Sequence, residues 1–329
     1  EMANGRPISL YPIFRFLGRL PPQQKAMWAY GKRFCATNGR TSVIVGKNPD
    51  GTWKTRPDYS GRSNHMEFAG LLHSASVRRL KAECLRHGEL PPKTRFGLHI
   101  HLSLQDRMAL ARVEDEVKVE VLKKEFEARA HWMEEGLEPE AIEHKVRQAV
   151  QSQMMALTHR LREALGTIKA KGAKPLLKEL IKQGERPIIF FELLGCASEA
   201  RMLYEDLFGE GEVFLGTGQT PTGQRQKLVD RWESGSGKVL VLTRAFAKAV
   251  TLVSGRTVIF GQRFQRPADE LQAEDRVNRI GQTRDTHVYM LHAPGTLDDA
   301  MAEKLAWKES GMLGLRGSTD QRVFEWLKR

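Results

Sequence analysis

The residues best suited to chemistry lie near the C-terminal end, in Gln272-Ala273-Glu274-Asp275-Arg276-Val277-Asn278-Arg279-Ile280-Gly281-Gln282. On a helix, Gln272, Arg276 and Arg279 fall at i, i+4 and i+7 and share one face. Two guanidinium groups and an amide on one stripe suit a triphosphate. The guanidinium fork matches phosphate oxygens, and its charge offsets the charge that develops during phosphoryl transfer. Asp275 is read as orienting its arginine neighbour rather than as half of an acid–base dyad. Gly281 is expected to stop the helix. His99 and His101 alternate in a strand-like stretch without a third ligand, which fits surface or core positions better than a metal site.

The other half of a nucleotide site is missing. No Gly-x-x-x-x-Gly-Lys-Ser/Thr occurs; at Gly237-Lys238 the next residue is Val239, and Trp232 stands where the first glycine belongs. No strand-borne Asp-Glu pair is suited to magnesium. Asp269 and Glu270 sit at a helix start, where they complement the macrodipole. No Gly-x-Gly-x-x-Gly follows a strand, which argues against a dinucleotide-binding enzyme.

The elements that must position these groups are legible from residue 174 onward. Apolar, β-branched runs at 187–191, 213–215, 239–242, 257–260 and 287–291 read as strands. Helical patterns separate or follow them at 198–208, 222–233, 268–280 and 297–307, with Ser198 as an N-cap. Such βα repetition implies an α/β fold, a parallel sheet flanked by helices, with active loops at the carboxyl ends of the strands. Residues 106–170 read as a helical hairpin broken at Gly136 and Pro139, with Val113, Val117, Val121 or Leu122, and Phe126 on one stripe. Residues 1–105 read as mainly helical, with a loop over 47–62 rich in Gly, Pro, Asp and Asn. Trp53 and Tyr59 in that loop are read as anchors in preference to base-stacking platforms.

Composition narrows the partners. Residues 1–100 hold 17 Lys and Arg against 6 Asp and Glu, a net of +11; the remainder holds 35 against 34. A basic first third joined to a near-neutral remainder points to a polyanion, with nucleic acid favoured. Cys35, Cys84 and Cys196 form no Cys-x-x-Cys pair, so neither a zinc site nor a disulfide framework is indicated, and a reducing, intracellular compartment is expected. No apolar run approaches membrane-spanning length. The opening Glu1-Met2-Ala3-Asn4-Gly5-Arg6 lacks a signal-peptide core and reads as the edge of an excised fragment.

The run from Gln272 to Gln282 resembles motif VI of the Swi/Snf-type helicase-like ATPases, Gln-Ala-Glu-Asp-Arg-x-x-Arg-x-Gly-Gln. Arg186-Pro187-Ile188-Ile189-Phe190-Phe191 resembles the motif IV strand. Gly218-Gln219-Thr220 with Arg225 resembles the family's Asp-Gly-Ser-Thr…Glu-Arg element, and Thr243-Arg244-Ala245 resembles the opening of motif V. Pro267 resembles the proline of the Trp-Asn-Pro block. Asn4-Gly5-Arg6-Pro7 with Leu10-Tyr11 resembles the segment after motif III. Tyr59-Ser60-Gly61-Arg62-Ser63-Asn64 resembles a stretch of the HepA-related, annealing-helicase branch. Val77-Arg78-Arg79-Leu80-Lys81 with Leu90-Pro91-Pro92-Lys93 resembles the Arg-Arg-x-Lys…Leu-Pro-x-Lys signature. Thr217 and Gln224 stand for the Asp and Glu of the Asp-Gly-Ser-Thr…Glu-Arg element, Gln265 and Arg266 replace Trp and Asn before Pro267, and at motif V Phe246-Ala247-Lys248-Ala249 stands for Gly-Gly-Leu-Gly.

The resemblance implies a basic, mainly helical segment after motif III over 1–105, a helical hairpin over 106–170, a RecA-like second helicase lobe over 171–312 and a tail over 313–329. It implies that Arg276, Arg279 and Gln272 complete a site for ATP and Mg2+ held mainly by a first RecA-like lobe. It implies contacts to double-stranded or branched DNA from Thr220, Arg225, Thr243 and Arg244. Lys248 is either a phosphate contact or a solvated lysine, and Arg78, Arg79 and Lys81 either pack between lobes or face DNA. The alternative is a non-catalytic DNA-binding or regulatory module with a degenerate lobe.

Overall fold

A computed structural model describes residues 7–24, 26–36, 42–48, 51–59, 61, 63–75, 90–136, 138–246 and 250–316. The chain divides into two compact units, one of residues 1–79, 118–155 and 306–329, the other of 80–117 and 156–305.

The second unit is built on six parallel strands. They are β3 (Lys93–His99), β4 (Ile188–Phe191), β5 (Val213–Gly216), β6 (Val239–Thr243), β7 (Thr257–Phe260) and β8 (Thr286–His292), in spatial order β3-β8-β7-β4-β6-β5. Every residue of β4, β6 and β7 is buried, the uninterrupted apolar pattern of strands covered on both faces. One face packs Ile189, Phe191, Val241 and Ile259 against Ala197, Ala200 and Tyr204 of α7 (Leu194–Phe208) and Leu177 of α6 (Lys174–Lys182). Elsewhere in the core Phe190, Phe260 and Phe264 form an aromatic cluster, with centroids 5.4 to 6.1 Å apart. The other helices wholly within this unit are α8 (Thr222–Glu233) and α9 (Pro267–Val277); it also holds residues 104–117, 156–172 and the start of α10 (Leu297–Arg316), which belong to longer helices. This is the parallel sheet flanked by helices that the alternation of patterns implies, and it fits the RecA-like lobe that the resemblance implies.

Three expectations shift. First, the division at residue 105 groups Lys93–His99 with the N-terminal segment, whereas they form the outer strand of the sheet, in register from Lys93↔Thr286 to His99↔His292. As an edge strand, β3 carries Lys93, Thr94 and Arg95, and its polarity hides it. Second, α7 starts at Leu194, so Ser198 lies a full turn inside it and caps nothing; the helix has no side-chain N-cap and is set by burial of Cys196, Ala197 and Ala200. Third, α9 ends at Val277 rather than near Ile280.

In the first unit, α1 (Tyr11–Phe16), α2 (Met27–Phe34) and α3 (His65–Ala75) enclose Leu10, Phe14, Tyr30, Phe34 and Phe68. Tyr30 donates from its hydroxyl to Pro7 O at 2.8 Å. Part of the expected 47–62 loop is a strand: β2 (Trp53–Pro57) pairs antiparallel with β1 (Ser42–Lys47). Tyr59 does serve as an anchor, its ring against Gly31, where an added Cβ would lie 2.3 Å away. The hairpin is α4 (Leu104–Glu134) and α5 (Pro139–Gly172), with Gly136 at φ +68 in the turn; residues 118–155 of it belong to this unit and the rest to the other. On α4 the apolar stripe is buried at Val117, but Phe126 is 75% exposed and does not continue it. No described helix is long and apolar enough to cross a membrane.

Candidate nucleotide and nucleic-acid site

The arginine-bearing helix α9 begins with Pro267 at its first turn after an extended Arg266, and Asp269 and Glu270 complement its dipole. Its inner face buries Ala268, Ala273 and Val277 together with two carboxylates. Glu270 accepts both Arg263 Nε and Arg263 Nη2 at 2.8 Å, and the Phe264 amide. Glu274 is fully buried and faces Lys93 Nζ at 2.7 Å and Arg95 Nη2 at 2.8 Å. Burial alone raises a carboxyl's pKa, but the charges and hydrogen bonds of Lys93 and Arg95 outweigh it and hold Glu274 below the ordinary value. Sequence reasoning passed over this triad. The available signal was an acidic residue at an apolar helix position.

The outer side of α9 carries Gln272, which is exposed, and Arg276, which is half-buried. Asn278 leaves the helical region at φ −81, ψ 77, and its Nδ2 donates to Pro91 O at 3.1 Å. Arg279 is therefore not at the helical i+7 position. It sits in the exit turn, exposed, with Nη1 donating to Thr251 Oγ1 at 2.9 Å. Gly281 adopts φ +102 in that turn, a conformation suited to glycine, but it follows the helix stop rather than making it. Gln282 is buried and bridges two backbone segments. Its Nε2 donates to Val253 O and Gly255 O, and its Oε1 accepts from the Thr283 and Arg284 amides. With the Leu252 amide donating to Arg276 O, these bonds bind residues 251–255 to the turn that carries Arg279.

The residues expected to meet a nucleic-acid backbone lie at the carboxyl ends of β5 and β6, which are adjacent strands. Thr220 Oγ1 accepts from the Thr217 amide, and Arg225 donates to Thr220 O at 2.8 Å and Gly218 O at 2.9 Å. This pair builds the loop after β5. Arg244 is partly exposed and pairs with Asp269 at 2.8 Å, joining the end of β6 to the start of α9. Thr243 is buried, and its hydroxyl has no hydrogen-bond partner among the described residues. Phe246 is fully buried beside Gly216, where an added Cβ would come within 2.9 Å of its ring. Lys248, Arg78, Arg79 and Lys81 lie outside the described residues. Among those described, no group of three or more His, Cys, Asp or Glu side chains is placed to hold a metal.

Residues 172–281 match the family model described as helicase conserved C-terminal domain. The chain is 27% identical over 306 residues to the mouse DNA annealing helicase and endonuclease ZRANB3, covering 91% of this chain and 25% of that protein. It is 29% identical over 253 residues to the Xenopus laevis SWI/SNF-related matrix-associated actin-dependent regulator of chromatin subfamily A-like protein 1, covering 74% and 23%. The chain thus spans about a quarter of the length of these curated relatives. Among solved structures, the Sulfolobus solfataricus SWI2/SNF2 ATPase core domain aligns with a TM-score of 0.51 at 18% identity, over 97% of this chain and 60% of that one. The same organism's core in complex with dsDNA aligns with a TM-score of 0.51 at 20% identity, over 77% and 52%.

Proposed function

We propose, from the premise that this chain carries the C-terminal lobe of a Swi/Snf-type helicase, that it is the second half of an ATP-dependent double-stranded DNA translocase or remodeller. The observation that carries the reading is the presentation of the motif VI side chains. Gln272 and Arg279 are exposed, and the Arg279 guanidinium rests on the neutral Thr251 hydroxyl. A cation so held remains available to an incoming phosphate.

The chain fits one side of an ATP site. Arg276, Arg279 and Gln272 offer donors to a triphosphate, while the glycine-rich cradle and the magnesium carboxylates belong to a first RecA-like lobe. ATP with Mg2+ supplies the phosphoryl group and the energy of its hydrolysis. The arginines' part is to neutralise charge on the terminal phosphate when the lobes close, and to report its loss by letting them open. Arg244, Thr220 and Arg225, with Lys248, Arg78, Arg79 and Lys81, supply contacts to a phosphate backbone. Thr243 would act from beneath that surface. The dsDNA complex of a structural neighbour supports this choice of partner. Branched DNA and an intracellular site of action belong to the same reading.

One observation favours the alternative, a DNA-binding or regulatory module. Phe246 fills space beside Gly216 where the family's motif V has glycine, so close backbone approach is lost there. The test is complementation with a matched first lobe bearing the phosphate cradle. The translocase reading expects DNA-stimulated ATPase from the mixture, none from this chain alone, and loss with Arg279→Ala. Full activity of the Arg279→Ala mixture would leave the module reading in its place.

A further inference from the structure

The Leu90-Pro91-Pro92-Lys93 stretch is tied at successive points to the arginine helix and to the start of β8. Pro91 O accepts from Asn278 Nδ2 at 3.1 Å, and Pro92 O accepts from the Thr286 amide at 2.9 Å. Lys93 Nζ reaches Glu274 at 2.7 Å, and Arg95 makes three hydrogen bonds to the same carboxylate at 2.8 to 3.2 Å. Glu274 and Asn278 are one helical turn apart on the inner side of α9, and both are buried. They flank Arg276, and Asn278 directly precedes Arg279.

A buried carboxylate held by two half-buried cations is a poor device for stability alone, because well-packed apolar residues usually serve as well. What it does supply is register. The Asn278 amide still makes the helical bond to Glu274 O at 2.8 Å, but the Arg279 amide donates to Val277 O. The helix is therefore interrupted at the residue whose side chain holds Pro91. Without that tie, the sequence from Gln272 to Ile280 has a continuous helical pattern, which would carry Arg279 onto the same stripe as Arg276.

We propose that residues 91–95 form a strap that ends α9 at Val277, making Lys93, Arg95, Glu274 and Asn278 positioning residues for Arg279. Through them, strand β3 sets the direction in which the Arg279 guanidinium leaves the helix. This rests on the functional reading above for its consequence in ATP hydrolysis, but not for its geometry.

The experiment uses the full chain, labelled with 13C and 15N. In the parent protein the Cα shifts of Asn278 and Arg279 are expected to be non-helical. Asn278→Ala should move residues 278–280 to helical values and shift the Arg279 Nε resonance. A combined Lys93→Met, Arg95→Leu, Glu274→Leu variant should do the same while keeping a cooperative melt, and Lys93→Arg should retain the parent shifts. Helix-end shifts unchanged in folded Asn278→Ala overturn the proposal. Should the triple variant not fold, Asn278→Ala decides alone. In the two-lobe ATPase, Asn278→Ala should lower kcat about tenfold with KM for ATP held within twofold; a fall confined to KM also overturns it. Loss of activity with Arg279→Ala but parent-like kcat with Asn278→Ala would refute the strap and leave the translocase reading standing.

Discussion

Replacing Lys169 with methionine removes a cation that α5 buries to 1% exposure. Its Nζ lies 2.9 and 3.1 Å from the two Asp298 oxygens and 3.4 Å from Leu291 O. Methionine occupies similar volume, so the cavity contribution is small. What remains is a carboxylate about nine-tenths buried, still accepting from the Ala293 amide at 3.0 Å but facing no cation. Breaking a buried pair from one side costs roughly 3–5 kcal/mol. The retained amide bond and the narrow access of water to Asp298 place this case near the lower end, about 3 kcal/mol. For a unit of this size that is a fall in Tm of about 6–12 °C. The assay is urea unfolding by far-UV circular dichroism, comparing midpoints at constant m. The Lys169→Met, Asp298→Asn pair should recover most of the loss, because asparagine keeps an acceptor for Ala293 and carries no charge. A cost below about 1 kcal/mol for Lys169→Met at unchanged m would refute the argument from an uncompensated buried charge.

Other outcomes follow from the same structure. Phe246→Ala should destabilise the second unit by about 3–5 kcal/mol in the same denaturation assay, since a fully buried ring is removed. Gly216→Ala should cost about 1–3 kcal/mol through overlap with Leu242 and Phe246, and less in the Phe246→Ala background. Glu274 has a folded-state pKa below its unfolded value, so its contribution is complete above roughly pH 4.3 and disappears as pH falls through the lower folded value. The urea midpoint should accordingly fall in acid, with a shallower slope over that window in Glu274→Gln. Binding to a random-sequence DNA duplex, followed by fluorescence anisotropy, should weaken at least tenfold between 50 and 200 mM salt, about the loss of a few phosphate contacts; affinity independent of salt would remove the basic surface from the account.

The elements whose pattern is local were legible in the sequence. Thr257–Phe260 and Thr222–Glu233 form where a β-branched apolar run and helical spacing place them, because both are decided by residues within the element. The elements decided by distant partners were not. β3 has an edge strand's polar pattern and is a strand through pairing with β8. β2 was hidden by the turn residues around it and is defined by β1. The end of α9 was misplaced because Gly281 is a local stop signal, whereas the actual stop is a side-chain bond from Asn278 to Pro91, 187 positions away. At the candidate site, Gln272 and Arg276 fall where the helical pattern puts them. Arg279 departs for the reason just given. Glu274 and Gln282 were not distinguished from surface polar residues because their partners, Lys93, Arg95 and the 253–255 backbone, come from elsewhere in the chain.

The position of β3 has a consequence for how this protein is made. The ribosome delivers residues 93–99 well before their hydrogen-bonding neighbour, residues 286–292, which emerges last among the strands of the sheet. Throughout synthesis of the intervening chain the nascent edge has nowhere to pair, and it carries two cations awaiting a carboxylate not yet translated. Such late closure of a long loop slows folding and exposes the chain to aggregation. An expression clone cut at residue 172, where the family model begins, would discard β3 altogether. It would leave β8 as a raw edge and bury Glu274 against nothing, so soluble recombinant protein should require a start upstream of Leu90.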